Sequence, residues 1–215
     1  MLLMVALPFA LSTGRIGDAC PTVTPQQGFN LTTFIDGKWF IHQQMPILYL
    51  PARDNFCVTA EYSRLDSGGL KVHNYANVNR VNGEVYDSDK NIGFLGGICA
   101  DVPDAKSPAK LSVGPCYVPK WLPAARGPYW VLAVGGASAS RYDWALISGG
   151  QPTDKEAGGC RTGFGINNSG LWIFTRSSIR DEALLQKIRS LAEAKGFDLS
   201  VLKDVEHKGC NYAPP

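Results

Sequence analysis

Between residues 39 and 176 the sequence breaks into nine short, strand-like stretches, each closed by a turn of Gly, Pro, Asn or Asp. They cover 39–45, 56–62, 70–76, 83–87, 92–98, 110–117, 129–135, 143–148 and 171–176. A strand that alternates apolar and polar residues has one face for a core and one for water, and such frequent turns leave no room for long helices. The pattern predicts an all-β barrel or sandwich, with enough stretches for eight antiparallel strands and one to spare. Residues 39–45 place Trp39, Ile41, Gln43 and Met45 on one face, and 56–62 place Phe56, Val58, Ala60 and Tyr62 on one face. One amphipathic helix follows, from about Ile179 to Lys195: Leu184, Leu185, Ile188, Leu191 and Ala192 form an apolar stripe, Ser178 and Asp181 read as a capping box, and Gly196 ends it.

A chain of 215 residues, 45% hydrophobic and 19% charged, suits one well-buried domain, here 20–215. The formal net charge of +2 comes from scattered Lys and Arg among acids, which gives no field for nucleic acid. Six cysteines, at 20, 57, 99, 116, 160 and 210, lack the close spacing of a zinc site, so disulfides in an oxidising compartment are expected. Residues 2–11 are apolar but only ten long, half a membrane span and the size of a signal-peptide core. Residues 1–19 therefore read as a targeting or apolar N-terminal segment, with Gly17-Asp18-Ala19 as a candidate cleavage region.

Three motifs in order, Gly37-Lys38-Trp39, Tyr142-Asp143-Trp144 and Arg176 ahead of the helix, resemble those of the lipocalin family. The resemblance implies an eight-stranded antiparallel up-and-down barrel with one C-terminal helix packed outside. It also implies that Gly37, Trp39 and Arg176 form the barrel floor, with the guanidinium over the indole face. Family members often bridge cysteines placed as Cys57 and Cys210 are, tying the tail to the barrel. Cys20 and Cys160 occupy places bridged in apolipoprotein D and its relatives. Cys99 and Cys116 then remain, at the ends of two adjacent strands where a hairpin bridge would join them. Free buried thiols are the alternative.

Two branches of the family are similar in different stretches. Pro115-Cys116-Tyr117, Trp130 to Ala133 and Tyr142 to Gly149 resemble apolipoprotein D and the plant plastid lipocalin, carriers or protectants for hydrophobic lipids. Gly37 to Ile41, Phe174 to Ser178 and the Pro-rich tail resemble the lipocalin domain of violaxanthin de-epoxidase, which acts on a xanthophyll. The plastid relatives imply the thylakoid lumen; secretion from the cell is the alternative, and on that route Asn30 and Asn167 stand in glycosylation sequons.

The function this implies is non-catalytic binding of a lipid, fatty acid, sterol or carotenoid in the barrel, with no required cofactor and no metal. The expected lining is Ile41, Gln43, Met45, Val58, Tyr62, Val72, Trp130 and Leu132, with Gln43 and Tyr62 as the polar contributors. An alternative is an accessory subunit docked to a membrane or pigment–protein complex through apolar open-end loops, carried by Leu48, Tyr49, Trp121 and Leu122. The long segment from Gly149 to Gly170 lies at the same rim. A further alternative is a xanthophyll enzyme with Asp54 as the acid that opens an epoxide; a turn aspartate is the plainer reading of that residue. His42 and His73 are expected to face solvent.

Overall fold

The computed structural model describes residues 19–119, 121–122, 126–136 and 141–212. The predicted N-terminal segment lies outside these residues apart from Ala19. Twelve strands are present: β1 (Trp39–Gln44), β2 (Phe56–Arg64), β3 (Leu70–Val78), β4 (Glu84–Asp87), β5 (Ile98–Asp101), β6 (Lys110–Pro115), β7 (Gly127–Gly135), β8 (Trp144–Ser148), β9 (Asp154–Glu156), β10 (Gly159–Arg161), β11 (Leu171–Thr175) and β12 (Lys203–Asp204). Eight of them pair antiparallel in the order β1, β2, β3, β5, β6, β7, β8, β11, and β11 returns to β1. Closure removes the free sheet edges and leaves an interior just wide enough for side chains or one small ligand. Strand β4 pairs only with β3, and β12 pairs only with β1.

The predicted stretch at 92–98 is not a strand. Gly93–Leu95 form a 3₁₀ turn, and Gly96 and Gly97 take φ of +78° and +72°, values that L side chains resist. The strand starts only at Ile98, beyond the glycines.

Helix α3 (Glu182–Ala194) is capped by Asp181 itself, whose carboxylate accepts from the Leu184 N–H, and not by Ser178. Leu185, Ile188 and Ala192 are buried, with Leu184 and Leu191 packed beside them on the barrel wall. Two five- and four-residue helices, α1 (Leu31–Ile35) and α2 (Ser88–Asn91), lie before β1 and after β4. Three disulfides form, Cys20–Cys160, Cys57–Cys210 and Cys99–Cys116, and no cysteine is left free. The segment from Gly149 to Gly170 contains its own two-stranded sheet, β9 with β10, held to the chain start by Cys160.

The C-terminal tail packs over the outside of β1. Val205 N–H donates to His42 O, and Cys57 N–H donates to Glu206 O. His42, expected in solvent, is therefore 1% exposed, with its Nε2 at 2.9 Å from Ser177 O. His207 is also buried; its Nε2 meets Ile41 O at 2.8 Å and its Nδ1 meets the Tyr212 hydroxyl. The two imidazoles stand 4.8 Å apart. His73 is half-buried and pairs with Asp87 at 3.1 Å. The sequence pattern puts His42 and His73 on the outer face but cannot see that the tail covers part of it.

Burial lowers the His207 imidazole to about 4, with Ile41 O and Glu206 opposing and the nearby His42 and Arg180 assisting. The unfolded value is near 6.5, so the neutral ring stabilises the fold above that pH, and this contribution is lost as pH falls towards 4. Between pH 7.5 and pH 4.5 the group should remove about 2 kcal/mol of stability. Urea unfolding at the two pH values, compared with His207→Gln, measures it: the variant's pH dependence should be flatter by that amount. Equal pH dependence in both proteins would mean that His207 is not buried neutral.

Candidate functional site

The closed end of the barrel is built by the three predicted floor residues. Trp39 is fully buried, and its Nε1–H donates to Phe34 O at 2.9 Å. The Arg176 guanidinium lies 3.5 Å from the centre of the indole. It donates to the carbonyls of Gly37, Lys38, Thr33, Phe34 and Tyr142, which together close the floor. Gly37 sits at φ +83°, a turn value that brings its carbonyl to Arg176.

Above this floor lies a cavity of about 100 Å³, bounded chiefly by aliphatic and aromatic side chains. Ile41, Val58, Tyr62 and Val72, all expected inside, line it. Four others do not. The β1–β11 register shifts between Ile41 and Gln43, a bulge that moves each later side chain to the opposite face. Gln43 therefore points outward, donating to Asp204 at 2.7 Å and accepting from Arg189 at 2.8 Å, and Gln44 takes the inward place. Met45 is buried against Thr162, whose hydroxyl lies 3.6 Å from its sulfur. On β7 the expected face is off by one residue. Trp130 lies on the outer side under the Lys110 ammonium, 4.5 Å from the ring centre, and Tyr129 faces the cavity. Leu132 sits at a second register shift, between Val131 and Ala133, and is buried away from the cavity.

Tyr129, Tyr86, Asn74, Trp172 and Phe174 are among the lining residues that sequence reasoning missed. The one available signal was Tyr129 beside Trp130: only one of two adjacent strand residues can face in, and composition does not choose between them. The polar centre of the cavity is the Tyr62–Tyr129 pair, whose hydroxyl oxygens are 2.6 Å apart. Burial raises the pKa of both phenols far above the ordinary value, so both stay protonated.

Tyr49 and Leu50 line the mouth of the cavity from the β1–β2 loop. Leu48 in that loop is 71% exposed and donates its N–H to Phe164 O, which brings in Phe164 and Ile166, exposed by 53% and 68%. Trp121 and Leu122 are also exposed, on the β6–β7 connection. Asp54 closes a 3₁₀ turn before β2 and is not part of the cavity wall. Its carboxyl is buried, which raises its pKa, with Arg53 at 3.7 Å opposing. A larger hollow of about 1070 Å³ lies outside the barrel beneath the C-terminal tail, bordered by His42, Arg180, Glu206 and His207. Among the described residues no three His, Cys, Asp or Glu side chains come together as a metal site, and no helix is long and apolar enough to cross a membrane.

A closed eight-stranded barrel, a tryptophan floor sealed by an arginine and the helix α3 packed outside decide the architecture. The chain has the lipocalin fold. Solved structures agree over most of its length. Insecticyanin from the tobacco hornworm Manduca sexta is 18% identical, covers 90% of each chain and superposes with a TM-score of 0.55. H1 crustacyanin from the lobster Homarus americanus is 15% identical, with 87% of each chain covered and a TM-score of 0.55. The cockroach allergen Per a 4 is 14% identical, with 88% of this chain and 95% of that one covered and a TM-score of 0.52. No protein-family model matches the sequence, and no curated protein matches it. At such identities the likeness is one of fold.

Proposed function

We propose that this lipocalin binds a hydrophobic small molecule in its barrel and has no catalytic activity of its own. The carrying observation is the cavity above the Trp39–Arg176 floor, walled by Ile41, Val58, Val72, Trp172 and Phe174 with few polar atoms. Sites of this kind recognise ligands by apolar contact and orient them by a small number of hydrogen bonds. At about 100 Å³ the space is below the roughly 300–1,000 Å³ of pockets that enclose drug-sized ligands. It holds one slender chain or one ring; a longer lipid or carotenoid would extend outward past Tyr49 and Leu50. The cavity gives no support to Asp54 as a catalytic acid, because no wall atom belongs to that residue.

An oxidising compartment is part of the reading, supported by the three disulfides. The thylakoid lumen is our specific placement, resting on sequence resemblance to plastid lipocalins, with secretion as its alternative. A contact role at the mouth is favoured by one observation: Leu48, Phe164 and Ile166 are exposed there together. We place the exchange of ligand with a membrane or a pigment–protein complex at this rim.

Organic extraction of protein purified from its native source, followed by mass spectrometry, should release a hydrophobic molecule near one equivalent, and the stripped protein should take it back. Recovery of no lipid, sterol or pigment, with no binding of any hydrophobic probe, would overturn the carrier reading.

A further inference from the structure

From the Tyr62–Tyr129 pair and the charge-free wall around it, we infer that the cavity selects neutral ligands carrying one hydrogen-bond acceptor, such as a ketone, ester or ether, and discriminates against carboxylates. The inference rests on the barrel being a ligand site and narrows what enters it.

Two phenols carry two hydroxyl protons, and the 2.6 Å contact uses only one of them. Among the described residues no protein acceptor takes the second. A buried hydroxyl proton without a partner is costly, and a ligand carbonyl placed beside the pair would recover much of that cost. A ligand able to donate but not accept would gain less, since it would leave the second hydroxyl proton unpaired.

Charge is excluded by the same wall. Among the described residues that line the cavity there is no Lys, Arg, His, Asp or Glu. The polar liners besides the tyrosine pair are neutral: Gln44, with its amide N–H held by Asn55 at 2.7 Å, Tyr49, Thr59, Asn74, Tyr75 and Tyr86. An ionised carboxylate entering this space would lose its hydration with no cation to replace it. The phenols point the same way: burial is the leading cause that keeps each of them protonated. Carboxylates outside the wall act in the same direction: the fields of Asp54 and Asp87 both reach Tyr86 in the wall. Arg176, the one cation whose field reaches Tyr62, stacks on Trp39 and is spent on floor carbonyls.

Three probes of equal length separate the possibilities: 2-decanone, decane and decanoate, titrated at pH 8 against the full chain and against the double variant Tyr62→Phe/Tyr129→Phe. Replacing both partners by isosteric rings leaves no new buried polar atom, so the variant should fold. The ketone should bind at least about tenfold more tightly than decanoate to the native protein. In the double variant its affinity should fall by about five- to tenfold while that of decane holds. Decanoate binding as tightly as the ketone overturns the inference, and so does a variant that keeps full affinity for the ketone. If none of the three binds, the ligand-binding reading of the barrel falls as well.

Discussion

Trp39→Ala should lower the stability of the fold by about 3–5 kcal/mol, the cost of emptying a large, fully buried site that cannot collapse. The indole is wedged between the rings of Phe34 and Phe174, at 5.3 and 6.1 Å, and the guanidinium of Arg176. Removing it opens a void under the cavity and takes away one of two hydrogen bonds to Phe34 O, leaving the one from Arg176. Arg176→Ala should cost less, about 2–3 kcal/mol, through lost hydrogen bonds from a charged group to the floor carbonyls and a lost cation–π contact. Arg176→Lys should recover only part of this, because an ammonium cannot span carbonyls that a planar fork reaches from one position. Urea unfolding of the three variants gives the order. A neutral Arg176→Ala, or a Trp39→Ala protein with native stability and altered ligand choice, would move these residues from the floor to the ligand site.

Cys57→Ala/Cys210→Ala should show the next largest loss. By loop-closure entropy a bridge across a sequence separation of 153 residues is worth about 5 kcal/mol, and one across 17 residues about 3 kcal/mol. The loss realised on removal falls to roughly 2–5 kcal/mol, because the tail stays partly anchored. Its anchors are the His207–Ile41 contact at 2.8 Å and the backbone hydrogen bonds of Val205 and Glu206. Unfolding the 57/210 and 99/116 double variants side by side tests the entropic account. A larger loss from the short loop than from the long one would show that native packing around Cys99 and Cys116, and not chain closure, sets the order.

The two loops that meet at the mouth show how local signals and distant packing divide the information. Pro46 and Pro51 mark the β1–β2 loop in the sequence, and its exposed Leu48 and Tyr49 were expected at the rim. The segment from Gly149 to Gly170 was also expected at this rim, but nothing singled out Phe164 and Ile166 within it. The hydrogen bond from Leu48 N–H to Phe164 O joins the two loops. The β9–β10 sheet inside that segment was likewise missed: its strands have three residues each, too few to show a period.

What the sequence determined alone is the run of strands and the outer helix, because each depends on short-range pattern; the closed barrel in place of a sandwich, and the floor, were expected from the resemblance to lipocalins. Period-two alternation sets the strands, Asp181 and Gly196 set the ends of the helix, and Gly37, Trp39 and Arg176 carry their chemistry whatever lies between them. What only the tertiary structure decided is which side chains face the cavity. One extra residue in β1 and one in β7 turned Gln43 outward and Gln44 inward, and put Leu132 at a bulge. A bulge is the response of two strands that must close a curved wall, so its position depends on the partner strand and leaves no trace in the strand's own sequence. The cover over His42 and His207 has the same origin: it is made by a tail that reaches β1 from more than 160 residues away.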